Sequence, residues 1–245
     1  MVPRGSVALV TGAAKRLGRA VAIRLARGGC RVAVHYRSSR KEAEEVVRAI
    51  RAAGGEARAF RADLAWRAAP ARLAAAVERG LGPVAVLVNG AAVFGPTDLA
   101  LHGARDLEDH WAVNARAPFL LALALAPGMA RRGCGKIVNV GDIHGETPLG
   151  GHAPYSVSKA ALHAMTRALA RDLAPAIQVN AVAPGAILLP EGAAPGLERR
   201  LVRRIPAGRL GTPEEVAEAV AFLVEGPDFV TGEVIRVDGG RHLRG

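Results

Sequence analysis

Seven short apolar runs rich in β-branched residues, near 7–11, 31–35, 57–61, 84–88, 136–140, 177–182 and 233–237, alternate with longer segments of helical periodicity. The helical segments fall around 17–27, 40–53, 70–79, 105–131, 155–173 and 213–224. Parallel neighbours need a long crossover, and a helix that makes it packs back on the sheet in the right-handed sense. A chain written this way is expected to be α/β: a Rossmann-like, doubly wound, seven-stranded parallel sheet with helices on both faces. Its 245 residues, half of them hydrophobic, suffice for one large core, so 1–245 is read as a single domain. The ligand crevice of such a sheet lies at the carboxyl ends of its strands. Segment 185–208, rich in Gly and Pro, is too long for an ordinary connection and is read as a substrate loop.

The first strand runs straight into Gly12-Ala-Ala-Lys15-Arg16-Leu17-Gly18 and then into a helical pattern closed by Gly28-Gly29. A glycine turn leading to a helix N-terminus is an anion cradle, because the first-turn amides are unpaired and the macrodipole favours a pyrophosphate. The second strand, Arg31–His35, completes a βαβ unit. Folds of this kind that select NAD set a carboxylate at the end of that strand, against the ribose hydroxyls. This strand ends instead in His35-Tyr36-Arg37-Ser38-Ser39-Arg40-Lys41, cations and hydroxyls suited to a 2′-phosphate. The expected cofactor is NADPH; the alternative for the stretch is a solvated turn.

Tyr155 and Lys159 are four residues apart and share a helix face. An ammonium beside a phenol favours phenolate, so the tyrosine pKa is expected to fall from about 10. Such a pair can protonate an oxygen or nitrogen while a hydride arrives next to it.

The formal charge of +11 raises a nucleic-acid reading. The arginines are spread over nearly every helix, no nucleic-acid motif is present and aromatics are 4% of residues, so no such partner is expected. Cys30 and Cys134 suggest no disulfide framework and fit a reducing cytosol. No apolar run nears the length needed to cross a membrane, no pattern reads as a metal site, and a soluble cytoplasmic protein is expected. The opening Met1-Val-Pro-Arg-Gly-Ser6 resembles a thrombin cleavage sequence of expression vectors and carries no functional weight.

Thr11-Gly12 through Gly18, Asp63, Asn89-Gly-Ala-Ala92, Asn114, Tyr155 with Lys159, Pro184-Gly185 and Val237-Asp-Gly-Gly240 stand in the order seen in the short-chain dehydrogenase/reductase family. The resemblance spans essentially the whole chain. Within the family the chain looks most like the pteridine reductases and the bacterial dihydromonapterin or dihydrofolate reductases. Arg16 replaces a common glycine, as it does in those enzymes, where the arginine reaches cofactor phosphates and pterin. His35-Tyr36-Arg37-Ser38 resembles their phosphate-selecting segment. Asp142 stands thirteen residues before Tyr155, where the family usually has a catalytic serine. Phe94 matches the aromatic that sandwiches a pterin against nicotinamide, although a lone aromatic after a strand can equally be core. Ala92, Gly90 and Leu189 depart from family contacts.

The resemblance implies a catalytic set of Asp142, Tyr155, Lys159 and Asn114, with Asn114 anchoring a relay water. It implies cofactor contacts from the glycine turn, the 35–38 segment, Asp63 and Leu64 at the adenine, Asn89, Gly90 and Ala91, and Pro184, Gly185 and Ile187. Arg16, Phe94, Asp142, Tyr155 and Leu188 would meet a pterin or folate substrate whose ring C=N is reduced. The rivals are a generic reductase of ketoacyl, sugar or steroid ketones and a non-catalytic NADPH-binding protein. Leu- and Ala-rich faces on 105–131 and 155–173, wider than one sheet can cover, point to helix pairing between subunits, and the resemblance implies a homotetramer built on them.

Overall fold

The computed structural model describes residues 4–189, 192 and 194–244. Strands β1 (Val7–Val10), β2 (Arg31–Tyr36), β3 (Ala57–Arg61), β4 (Val84–Asn89), β5 (Gly135–Val140), β6 (Ile177–Pro184) and β7 (Val234–Val237) form one sheet, ordered β3-β2-β1-β4-β5-β6-β7. Every neighbouring pair is parallel. The chain winds from β1 out to β3 and then returns past β1 to β4, so the order reverses between β1 and β4. A crevice opens at such a switch point, beyond the strands' carboxyl ends.

The helices are α1 (Arg16–Arg27), α2 (Arg40–Ala52), α3 (Ala69–Leu81), α4 (Leu99–Trp111), α5 (Ala117–Arg131), α6 (Ala153–Asp172), α7 (Leu197–Val202) and α8 (Pro213–Glu225). Side chains of β1 alternate between two cores. Ala8 and Val10 join Val21, Leu25, Val46, Ile50 and Val220 of α1, α2 and α8, whereas Val7 and Leu9 join Val77, Leu121, Leu125 and Met129 of α3 and α5. Burial on both faces explains the unbroken apolar runs of the central strands, and each enclosed Leu, Ile or Val stabilises the fold by about 1.5–3 kcal/mol.

Two expectations change at the long helix. It begins earlier than the apolar pattern suggests, because Asp98 caps it by accepting from the amides of Ala100 and Leu101 at 3.0 and 3.3 Å. It also runs on through a π-helical turn, Ala112–Arg116, into α5. The stretch Leu99–Arg131 is therefore long and apolar enough to cross a membrane by length and composition, with mean hydropathy 1.3 over an 18-residue window. That window is 56% buried within the protein, and α5 packs against α3, β4 and β5, which accounts for its apolarity as core.

Candidate active site

The turn from β1 to α1 is built by close backbone approach. Gly12 has φ +67°, and a Cβ there would lie 2.9 Å from Ala91 Cα; one on Gly18 would lie 2.1 Å from Gly12 O. Thr11 joins the two central strands: its hydroxyl donates to Val88 O at 3.3 Å and accepts from the amides of Gly90 and Ala91 at 3.0 and 3.1 Å. No side chain caps the N-terminus of α1. Lys15 pairs with Glu42 of α2 at 2.7 Å. Arg16 has φ +51°, the left-handed region where glycine is ordinarily required, and its guanidinium donates to Leu188 O at 3.3 Å and to Leu189 O at 3.4 Å. The group expected to meet phosphates and substrate is thus turned onto the loop after β6.

The segment after β2 divides into two kinds of residue. Arg37 and Ser38 are exposed at the strand end. His35 and Tyr36, expected beside them as phosphate contacts, point inward, at 2% and 9% exposure. His35 Nδ1 accepts from Gly12 N at 3.1 Å and Nε2 donates to Ala62 O at 3.1 Å, and burial pushes the ring pKa down to about 4. A neutral ring with both nitrogens occupied holds the glycine turn and offers no charge to a phosphate; β2 is covered on both faces, so consecutive side chains are buried alike. Tyr36 lies in the core on the α1 and α2 side.

Asp63 accepts from Ala65 N at 3.1 Å, and Leu64 is buried behind it. Asn89 also corrects its expected role. Its side chain is 3% exposed and donates to Asn139 Oδ1 at 2.8 Å, and Asn139 donates to Thr166 at 2.9 Å. The amide ties β4 to β5 and α6 from below, leaving only backbone at the crevice.

Across the switch point, Tyr155 and Lys159 rise from α6 toward the end of β5. Tyr155 donates to Asp142 Oδ2 at 2.7 Å, while Asp142 Oδ1 accepts from His144 N at 2.8 Å and so fixes its own turn. Lys159, 3% exposed, donates to Val140 O at 2.7 Å. Its nitrogen is 5.8 Å from the Tyr155 ring centre. The expected lowering of the Tyr155 pKa is reversed: burial first, then the Asp142 charge and hydrogen bond, push it up. Burial pulls Lys159 down to about 8 against the opposing pull of Asp142. At Tyr155 burial decides the sign, and the carboxylate hydrogen-bonded to the phenol adds to it.

Asn114 sits in the π-helical turn, a widening often found at functional sites. Its Oδ1 accepts from Val93 N at 2.8 Å, and its Nδ2 donates to Val93 O at 2.9 Å and to Ser158 Oγ at 3.0 Å. Val93 is thereby locked next to Phe94, which is 53% exposed and meets Tyr155 edge-on at 4.8 Å. Three residues with no place in the expected set belong to this wall. His152 stacks on Phe94 at 5.1 Å, His110 lies edge-on to Tyr155 at 6.1 Å, and Ser158 closes the Asn114 ladder by donating to Tyr155 O at 2.7 Å. His152 carried a signal in retrospect, since it lies one turn before Tyr155.

Pro184 ends β6, and Gly185 has no room for a side chain, since its Cβ would lie 2.7 Å from Asp238 Cβ. Ile187, expected at the cofactor, is 7% exposed and packs into the core on the α8 side; Leu188 is 40% exposed. Pro190, Glu191 and Ala193 of the expected substrate loop lie outside the described residues. A short helix, α7, forms within it.

A family model described as enoyl-(acyl carrier protein) reductase matches residues 12–242. The 3-oxoacyl-(acyl-carrier-protein) reductase of Staphylococcus epidermidis is 35% identical over 240 residues, 96% of this chain and 98% of that protein. Two solved structures share the fold: a blue fluorescent protein from a metagenomic library in complex with NADPH, 38% identical with TM-score 0.90 over 97% of this chain and 98% of that one, and a short-chain dehydrogenase/reductase from Serratia marcescens, 36% identical with TM-score 0.90 over 98% of each chain.

Proposed function

The chain belongs to the short-chain dehydrogenase/reductase family, an oxidoreductase family, and from that premise we propose that it is an NADPH-dependent reductase of ketone carbonyls, with 3-oxoacyl compounds as the first class to try. The observation that carries the reading is the Tyr155–Asp142 hydrogen bond at 2.7 Å, with Lys159 enclosed behind it.

The residues fit a dinucleotide. Gly12 and Gly18 let the backbone close into a tight turn that no Cβ would permit, and the N-terminus of α1, without a side-chain cap, follows it, as a pyrophosphate needs. Arg37 and Ser38 would take the 2′-phosphate, Asp63 the adenine side, and Lys159 the nicotinamide ribose. Bound NADPH supplies the hydride.

With substrate in place, Tyr155 turns its single O–H proton from Asp142 to the carbonyl oxygen. Its raised pKa means that it keeps the proton until the C=O electron pair moves onto oxygen, which is then basic enough to take it. Lys159 steadies the phenolate left behind. Asp142 holds the hydroxyl in place beforehand, the orienting task the family usually gives to serine. Phe94 and His152 wall the substrate side, and segment 185–208 serves as its loop. Exposed Leu107, Trp111, Phe119 and Leu123 on α4 and α5, with Val157 on α6, would be covered by helix pairing in a homotetramer.

A second reading, reduction of a pterin or folate ring C=N, rests on Asp142 itself. A carboxylate can accept from a ring N–H where serine would only share a hydroxyl. Against it, Arg16 is occupied by the loop carbonyls.

Measuring NADPH oxidation with an acetoacetyl thioester, dihydrobiopterin and dihydrofolate side by side should give the highest kcat/KM for the thioester. Asp142→Ser should keep ketone turnover within about tenfold, because a hydroxyl can still hold Tyr155. A loss of about 10²–10⁴, the usual effect of removing a positioned acid, together with preference for the pterin, would sink the carbonyl reading.

A further inference from the structure

His163 lies on α6 one turn beyond Lys159 and two beyond Tyr155, so the three side chains follow one another along one face. It is 2% exposed, and neither ring nitrogen has a hydrogen-bond partner among the described residues. An imidazole buried this way costs free energy that a leucine of similar size would not, so filling space does not account for it.

Its surroundings are specific. A Cβ on Gly141 would lie 2.3 Å from Nε2 and one on Gly145 3.0 Å from Cε1, so the ring is wedged against the two glycines that bracket Asp142. Nδ1 stands 3.9 Å from Glu146 Oε1, beyond hydrogen-bond reach. The other oxygen of that carboxylate is held by Arg236 of β7, with Nε at 2.8 Å. Burial is the largest influence on the ring and disfavours its charged form; Lys159 and Arg167 on its own helix act in the same direction, and Glu146 and Asp142 oppose them.

We propose that His163 is a positioning residue for the reduction: a neutral wedge that seats the Asp142 turn against α6, and that lets the turn go when the ring takes a proton and closes the 3.9 Å gap to Glu146. In the neutral form, contact with Gly141 and Gly145 keeps the carboxylate in its 2.7 Å bond to Tyr155. An imidazolium has a donor on each nitrogen. Nδ1–H then gains Glu146, whereas Nε2–H, packed on Gly141, gains nothing, so the ring shifts and the turn loses its support. The added charge also opposes the ammonium of Lys159. Acid therefore weakens the proton-handling group from behind, through a residue that need not touch substrate. The inference rests on Tyr155 and Asp142 handling the proton, whichever double bond is reduced.

The test pairs histidine-selective ¹³C NMR titration with pH profiles of kcat/KM on the best substrate found. The His163 resonance should titrate below the ordinary histidine range, and lower still in Glu146→Gln, which removes the charge but keeps a side chain for Arg236. The acid-side fall of kcat/KM should follow that titration, move to lower pH with it in Glu146→Gln, and vanish in His163→Leu. A ring that never titrates before acid unfolding, a profile that stays put in Glu146→Gln, or one that persists unchanged in His163→Leu overturns the proposal. Should the same profiles appear with a pterin and no ketone be reduced, only the carbonyl reading falls. If His163→Leu does not fold, the Glu146→Gln comparison decides alone.

Discussion

The turn after β1 and the turn after β5 flank the end of β4, each containing glycines without room for a side chain and each backed by a buried histidine. At the first, glycine meets backbone: Gly18 abuts Gly12 O, and Gly12 abuts Ala91. At the second, glycine meets a side chain as well: Gly141 abuts the ring of His163, and Gly145 abuts both that ring and the Lys159 backbone. His35 has both nitrogens engaged, while His163 has neither among the described residues. The first turn is thus a fixed frame suited to an anion whose charge never changes. The second holds groups whose protons must move, and its support is correspondingly softer.

If the division is real, the largest effect comes from the second turn and leaves the first untouched. Tyr155→Phe should lower kcat by about 10²–10⁴ while NADPH affinity, read by fluorescence titration, stays the same. Equal losses in both would show that the two turns act as one unit.

Next comes the frame itself. Because the folded pKa of His35, about 4, lies below the ordinary value of 6.5, its neutral burial contributes stability that is whole above about 6.5. That contribution is lost as pH falls toward 4, with an upper bound of about 3 kcal/mol. Urea unfolding at pH 7 and at acid pH should show a smaller difference for His35→Gln than for the unaltered chain. The same pH dependence in both proteins would remove His35 from the frame.

The smallest effect sharpens the comparison at the rim of the first turn. Arg37→Asp should move preference from NADPH toward NADH by about 1.5–3 kcal/mol, the worth of a charge-assisted contact, without altering kcat at saturating cofactor. Steady-state kinetics with both cofactors decide it, and an unmoved preference would release Arg37 from the 2′-phosphate.

Local signals explain what could be read early. β/α alternation, the glycines of the first turn and the four-residue spacing of Tyr155 and Lys159 each depend on a few consecutive residues, and periodicity carries them faithfully. The readings that failed concern direction. His35 and Asn89 stand at strand ends where a family resemblance places contacts, yet both side chains are buried and bonded within the protein. Which way a strand-end side chain turns depends on what packs below it, and that partner is elsewhere in the chain.

By itself the sequence determined the parallel sheet, the glycine turn after its first strand and the shared helix face of Tyr155 and Lys159, since apolar period and glycine placement act through short-range sterics and burial. Only the tertiary structure decided how those groups bias one another. Burial of Tyr155, with Asp142 reaching it from thirteen residues away, raises a pKa that the neighbouring lysine was expected to lower. Asn114 locks Val93 through a π-helical turn with no local signature. Electrostatic sign and hydrogen-bond satisfaction depend on distances of a few ångströms between elements remote in sequence, and those distances exist only once the sheet has brought the strand ends together.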